Sequence, residues 1–271
     1  MRALVLAGLL AAPLPAAAAE APLLLELGVE MYAAGLHALS LDLTAESDGR
    51  RYRVEGQAQT RGAMDLLTRW RSRSLSEGRI ARDGDLLPEL HQVKGEMRWS
   101  SRETMLRYDD RGRVAELRIV PPPDRERRQP VPAALTTDTM DTLSASLVAL
   151  REPDTASACR QSAPVFDGRR RYDIRFHAVG EETLKLSQYS MYAGPALKCR
   201  VEIVRIRGFQ DDGEPEEEAR KRATWVWFAR LPEAPVALPV RLEIESEYGY
   251  GIAHLVRVRA SGGARTAKAA D

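Results

Sequence analysis

The sequence lacks an excess of charge of either sign. Its 271 residues carry 40 Lys and Arg against 39 Asp and Glu, a formal net charge of +1. Proteins that bind nucleic acid through bulk electrostatics need a basic surface, so this balance argues against nucleic acid as a partner. A chain of this length buries roughly 70–75% of its unfolded surface, which is enough for a stable core without metal ions.

The sequence also lacks the short motifs that carry common enzyme chemistry. It contains no GxSxG, no phosphate-binding GxxxxGK[ST] and no GxGxxG. The four histidines, His37, His91, His177 and His254, lie far apart and show no HxxxH or HExxH spacing. We therefore predict no catalytic residues, no metal, no cofactor and no enzymatic activity.

Long apolar runs are missing except at the start of the chain. Met1-Arg2 is followed by an apolar stretch from Ala3 to Leu14 and then by four alanines. This order is typical of a secretory signal peptide, whereas a membrane anchor needs ~20 apolar residues. We predict a signal peptide at residues 1–19, a periplasmic protein without a transmembrane segment and, because no cysteine lies near the cut, no lipid anchor.

Cysteine is scarce, with only Cys159 and Cys199 in the chain. Thiols are oxidised in the periplasm, so we predict a disulfide that closes a loop of about 41 residues and contributes roughly 4 kcal/mol. The alternative is a redox or metal role for the two thiols. It lacks the CxxC spacing or the flanking histidine that such roles use.

Alternating apolar and polar residues dominate the rest of the chain. Leu39, Leu41 and Leu43 are one example, and the pattern indicates strands with one buried face, separated by Gly and Asp turns. Residues 225–229 are apolar at every position, which predicts a strand buried on both faces and hence the most central one. A proline-rich connector at 121–132 interrupts the strands.

One helix is predicted after the connector. Four apolar residues form a single helical stripe and place the helix over residues 138–150: Met140, Leu143, Leu147 and Leu150. The predicted fold is mainly β, a long antiparallel sheet curled into an open barrel or spiral around this central helix. Residues 20–260 form one domain in this prediction, and residues 261–271 form a flexible tail.

Two groups of residues are candidate ligand contacts. Arginine supplies 35 of the 40 positive side chains, and most of these fit charge pairing on a wet sheet face. The run Arg169, Arg170 and Arg171 is also suited to clamp a phosphate or carboxylate. The second group is the four tryptophans, which either line a lipid or sugar groove or belong to the core: Trp70, Trp99, Trp225 and Trp227.

Several segments resemble domain-of-unknown-function family 3108, a group of exported proteobacterial proteins. They are Val165 to Tyr172 (VFDGRRRY) preceded by Asp138 to Asp141, Tyr192 to Pro195 leading to Cys199, the Gly208-Phe209 step, Leu238 to Arg241, and Asp83 to Pro88. The resemblance covers about Leu25 to Val258 and brings no established activity with it. It implies an exported antiparallel sheet similar in architecture to the open, curved barrels of lipoprotein carriers.

The function expected from these observations is that of a noncatalytic periplasmic factor. It would bind a hydrophobic, lipid or lipoprotein ligand or an envelope protein, support envelope integrity, and act as a monomer. One alternative is a structural interaction module with a packed barrel, whose partner docks on a rim such as the charged loop at 211–222. The other is a hydrolase or transferase acting on the cell wall, which would need a polar cleft with convergent carboxylates.

Overall fold

The fold was analysed in a computed structural model, which describes residues 22–122, 129–209, 223–246 and 249–262. Thirteen strands form one antiparallel sheet in the order β7-β6-β5-β4-β3-β2-β1-β13-β12-β11-β10-β9-β8. The strands are β1 Leu23–Ala33, β2 Leu36–Ser47, β3 Arg51–Thr60, β4 Arg71–Ile80, β5 Leu86–Met97, β6 Ser100–Tyr108, β7 Val114–Val120, β8 Ser162–Phe166, β9 Arg171–Leu184, β10 Gly194–Arg207, β11 Thr224–Arg230, β12 Ala237–Ser246 and β13 Gly249–Gly262. The helices are α1 Gly62–Thr68, α2 Thr142–Leu150 and α3 Thr155–Ala158. The predicted mainly β, antiparallel architecture is confirmed.

The sheet curls until its two edge strands approach each other, but it does not close. Within the described ranges, no backbone ladder joins β7 to β8. Side chains bridge the gap instead: the Arg169 guanidinium donates a hydrogen bond to Thr104 Oγ1 on β6 at 2.6 Å, and Phe166 packs against Leu106 and Tyr108. We call this contact the seam. The result is an open barrel whose edges meet through side chains.

Helix α2 lies inside the curled sheet, and the face that packs on it is the inner face. The helix contacts β3, β4, β5, β8 and β12. Leu147 and Leu150 belong to a buried cluster that also contains Leu25, Val54 and Leu255 from three strands. The helix therefore takes the place of a second layer, because a lone sheet would leave its apolar face in water.

The helix begins later than the sequence predicted. It starts at Thr142, not at residue 138, because Asp138 adopts a left-handed backbone with φ 55° that a helix interior does not accept. Asp141 provides the N-cap, with its carboxylate accepting from the backbone N–H groups of Leu143 at 2.9 Å and Ser144 at 3.0 Å. Neither α1 nor α3 was predicted.

The strand that is apolar on both faces is not the central one, so that prediction was wrong. The middle of the sheet is β1, and β11 is the fourth strand from the β8 edge. Strand β11 is buried on both of its faces for a different reason. Val226 and Phe228 line the inner face, whereas Trp227 on the outer face is covered by the Lys198 ammonium and the Arg241 guanidinium and donates its indole N–H to Glu182 Oε2 at 2.9 Å.

The remaining predictions concern the cysteines and the chain ends. Cys159 and Cys199 form a disulfide, with a Cα–Cα distance of 5.7 Å, that ties the end of α3 to β10. The predicted tail begins too early, because β13 continues to Gly262, which pairs with Leu23. The predicted signal peptide at 1–19, residues 123–128 of the connector, the charged loop at 211–222 and residues 263–271 lie outside the described residues.

The seam makes a specific prediction for Gly168, in the turn between β8 and β9. Its φ is +90°, and a Cβ there would lie 2.6 Å from Thr104 Cγ2. Gly168→Ala is expected to lose about 1–2 kcal/mol from the backbone and about 1–3 kcal/mol more from overpacking. Gly35→Ala is the control, since its φ is +78° and nothing lies within 4 Å of the added Cβ. Equal losses in urea unfolding would show that the seam is not tightly packed.

Candidate functional site

An apolar cavity of about 340 Å³ lies between α2 and the inner face of the sheet. Its sheet wall is formed by β1, β2 and β9–β13. The side chains in this wall are almost all aliphatic or aromatic: Leu27, Val29, Leu41, Leu43, Ile174, Phe176, Val201, Val226, Phe228, Pro239, Leu242, Ala253 and Leu255. Arg241 and Thr224 are the polar residues of this wall.

The helix creates this space because it carries two different stripes. Leu143 and Leu147 point toward the core that anchors the helix. Four small residues at i, i+3, i+4 and i+7 instead line the cavity: Thr142, Ala145, Ser146 and Ala149. Side chains of this size cannot span the distance from the helix to the sheet, so a gap remains beside an otherwise close-packed interior.

A buried polar network holds α2 in place against β3, β4 and β5. Its members are Tyr52, Ser76, His91, Asp141 and Ser144, each at most 3% exposed. Ser76 Oγ donates to Asp141 Oδ2 at 2.7 Å and Ser144 Oγ donates to the same oxygen at 2.6 Å. The Tyr52 hydroxyl lies 2.8 Å from Ser144 Oγ. The cap of the helix is thus joined to three strands.

His91 completes the network as the partner of the carboxylate. Its Nδ1 lies 3.0 Å from Asp141 Oδ1, within ion-pair distance, although the angle does not meet that of a hydrogen bond. Burial alone would raise the pKa of Asp141. Attraction to the charge of His91, together with hydrogen bonds from the Ser144 hydroxyl and backbone N–H, outweighs burial and holds that pKa below its ordinary value. Burial beside Asp141 raises the pKa of Tyr52.

These residues do not form a catalytic relay. In a Ser-His-Asp relay the hydroxyl donates to the histidine, whereas here both serines donate directly to the carboxylate and all members are buried. On the outer face, Ser40 Oγ donates to Glu30 Oε2 at 2.6 Å, and His37 Nε2 contacts that same oxygen. A relay would use both ring nitrogens of the histidine, so this cluster also has the geometry of a static polar contact.

The arginine run predicted to bind anions lies at the seam, and each of its side chains has partners within the chain. Arg169 bonds Thr104, and Arg170 forms an ion pair with Asp167 at 2.7 Å. Arg171 donates to Asp173 Oδ1 at 2.5 Å. Arg169 therefore bridges the two edges of the sheet, whereas Arg170 and Arg171 pair with carboxylates of the β8–β9 hairpin, and the predicted role of the run as an anion clamp stays a prediction.

The four tryptophans do not converge on one groove. Trp70 directly precedes β4, and Trp99 occupies the turn between β5 and β6, where it is 88% exposed. Trp225 and Trp227 lie side by side on the outer face of β11, both within 5 Å of the Lys198 ammonium. None of them is among the residues that line the apolar cavity. The sequence suggested a groove lined by tryptophans and did not identify the residues that line this cavity; the available signal was the stripe of small residues on α2.

The described residues contain neither a metal-binding cluster nor a membrane-spanning helix. Within the described ranges, no group of three or more His, Cys, Asp or Glu residues is placed to hold a metal ion. No helix in that part of the chain is long and apolar enough to cross a membrane.

Comparison with known proteins gives a family match and matches among solved structures. A family model described as "Protein of unknown function (DUF3108)" matches residues 29–256. No curated protein is similar enough to this chain to count as a relative. Among solved structures, a beta-barrel-like protein of domain of unknown function DUF1849 from Brucella abortus is similar, with a TM-score of 0.48 and 10% identity over 89% of this chain and 98% of that chain.

Proposed function

This chain belongs to the family described as Protein of unknown function (DUF3108), and we propose that it is a noncatalytic binding protein for a hydrophobic ligand. The observation that carries the proposal is the apolar cavity of about 340 Å³ beside α2. Ligand pockets in proteins typically measure about 300–1,000 Å³ and are lined mainly by apolar side chains with a few polar groups. The cavity meets both criteria.

The aliphatic lining indicates which kind of ligand suits the site. Leucine, valine and alanine side chains surround most of the space, and the hydroxyls of Thr142 and Ser146 lie along its helix wall. Ser146 Oγ already donates to the Leu143 carbonyl at 2.7 Å, so a ligand does not have to supply an acceptor for this hydroxyl. An acyl chain or a similar aliphatic group fits this environment, because its burial replaces water at an apolar surface.

The cellular setting is also part of the proposal. We infer from the predicted signal peptide that the protein acts in the periplasm, where its ligand is a lipid or a lipoprotein and its role is to support the envelope. Determining the N-terminus of the exported protein by mass spectrometry tests this setting. An intact residue 1 on protein recovered from the cytoplasm would contradict it.

Filling the cavity provides the test of ligand binding. Val201 lines the cavity on the inner face of β10, whereas Val204 lies on the opposite face of the same strand. Val201→Trp is expected to weaken binding of a fluorescent fatty acid by about tenfold or more, because the indole occupies the ligand's space. Val204→Trp is the matched control and is expected to bind as the wild type does. Thermal unfolding of both variants confirms that they are folded.

A second candidate function is a structural interaction module with a packed interior. It is favoured by α2, which fills much of the space inside the sheet. If wild-type protein binds no fluorescent fatty acid, and solvent extraction of protein purified from its host releases no lipid, this module replaces the binding protein as the better description. Equal binding by Val201→Trp and wild type would place the ligand elsewhere.

A further inference from the structure

One end of the barrel presents large apolar side chains to solvent. Five of them belong to α1 and to the turn between β5 and β6, and we call them the apolar tip: Met64 at 39% exposure, Leu66 at 73%, Leu67 at 73%, Met97 at 45% and Trp99 at 88%. Helix α1 buries none of its residues. A seven-residue helix is not stable by itself in water, so three large apolar side chains on it that are exposed to solvent call for an explanation.

The two halves of the apolar tip form one surface. The backbone N–H of Arg98 donates to the Thr68 carbonyl at 3.2 Å, and the Arg98 guanidinium donates to the Leu66 carbonyl at 2.7 Å. These bonds fix the turn that carries Trp99 against the C-terminal end of α1. The helix is also tied to the sheet, since the N–H of Arg61 donates to the Ala38 carbonyl at 2.9 Å. The exposed side chains are thus held together on a fixed backbone.

Basic residues outnumber acidic ones in the two segments that carry the apolar tip. Residues 61–71 and 94–102 contain six positive side chains, Arg61, Arg69, Arg71, Lys94, Arg98 and Arg102, against two negative ones, Asp65 and Glu96. The excess of four positive charges is local, because the whole chain is nearly neutral. A projecting group of Leu, Met and Trp side chains with arginines around it matches the interface of a bilayer that contains anionic lipids.

We propose that the apolar tip docks the protein on the surface of an anionic lipid bilayer. Leu66, Leu67 and Trp99 enter the interfacial region, where a tryptophan ring is favoured, and the arginines contact lipid phosphates. A protein partner would need about 800 Å² of complementary surface on each side, whereas the tip is five apolar side chains in a region with excess positive charge, which complements lipid phosphates. The proposal does not depend on the cavity, although a lipid-binding protein would use such a contact to reach its ligand.

Vesicle sedimentation tests the proposal. The wild type is expected to bind vesicles of phosphatidylethanolamine and phosphatidylglycerol and to bind vesicles of phosphatidylcholine alone much less. The triple variant Leu66→Ser, Leu67→Ser, Trp99→Ser is expected to lose about tenfold or more in bound fraction. Leu186→Ser is the control, since Leu186 is 83% exposed on the β9–β10 connection and lies outside the tip. The wild type and all variants have the same N-terminus, so any vesicle binding by the N-terminus is equal in each of them and does not affect the comparison.

Charge variants separate the two contributions. Arg69→Gln with Arg71→Gln is expected to weaken binding to phosphatidylglycerol vesicles several-fold, and added salt is expected to do the same to the wild type. Unchanged binding by the triple variant, no preference for phosphatidylglycerol, or no wild-type binding would each overturn the proposal. Val201→Trp keeps an intact tip and is expected to bind vesicles normally, so failure of this proposal and failure of ligand binding are distinguishable.

Discussion

Asp141→Ala is expected to lower the free energy of unfolding by about 3–5 kcal/mol. The substitution leaves His91 buried without its charge partner and leaves the hydroxyls of Ser76 and Ser144 without their acceptor. It also removes the N-cap of α2, which by itself is worth about 1 kcal/mol. Because α2 forms one wall of the cavity, the variant is expected to lose affinity for a fluorescent fatty acid as well.

Asp154→Ala is the matched control for this effect. Asp154 is also an aspartate N-cap, of α3, with its carboxylate accepting from the Ser157 backbone N–H at 2.8 Å in an exposed position. Its loss is expected to cost about 0.5–2 kcal/mol. Urea unfolding compares the two variants. Similar losses would contradict the view that the buried network, and not the cap alone, holds the helix.

Acid is expected to weaken the same network. The pKa of Asp141 is lower in the folded protein than its ordinary value, so the unfolded chain binds the proton first as the pH falls. The carboxylate therefore contributes its full stability above about pH 4, and this contribution is lost as the pH falls through the folded pKa. As the pH falls below about 4, the free energy of unfolding of the wild type is expected to fall more steeply than that of Asp141→Asn.

Removing the disulfide is the second large effect. The double variant Cys159→Ala, Cys199→Ala is expected to lose about 2–5 kcal/mol, because the bond restricts the unfolded chain across a sequence separation of 40 residues. Alanine is the appropriate replacement, since both cysteines are fully buried and a serine hydroxyl would need a partner. Urea unfolding measures the loss.

Reductant and alkylation provide the controls for the disulfide. Dithiothreitol is expected to shift the unfolding midpoint of the wild type toward that of the double variant and to leave the double variant unchanged. Alkylation of the unfolded, unreduced wild type followed by mass measurement is expected to find no free thiol. Two alkylated cysteines would contradict the disulfide, and the stability difference between variant and wild type would then need another cause.

Local patterns in the sequence predicted the strands well, because alternation records which face of a strand is buried. They predicted the place of a strand in the sheet less well. Residues 225–229 are apolar on both faces, yet β11 lies near one edge of the sheet, and its outer Trp227 is covered by the Lys198 and Arg241 side chains of the neighbouring strands. An apolar pattern on both faces shows that each face of the strand is covered. It does not show how many strands lie on either side of it in the sheet.

The cavity could not be predicted from the sequence for a related reason. Its sheet wall combines residues from Leu27 to Leu255, which only the curled sheet brings together. The leucine stripe of α2 correctly indicated a helix with one apolar face. The small residues at 142, 145, 146 and 149 indicated a gap only once the distance from the helix to the sheet was known. Likewise, Asp141 could be identified as the N-cap only once the helix was seen to begin at Thr142, and as the centre of a buried network only once its partners on β4 and β5 were seen.

The order of the strands has a consequence for how the protein folds. Eleven of the twelve pairings in the described sheet join strands that are consecutive in sequence, and the other joins β1 to β13, with Leu23 opposite Gly262. The β1–β13 pair in the middle of the sheet is therefore the pair whose strands are farthest apart in sequence. Contacts between distant residues form slowly, because a long loop must close before they are made. Each half of the sheet can form first as a meander of neighbouring strands. The two halves can join only when β13, the last strand in the sequence, pairs with β1.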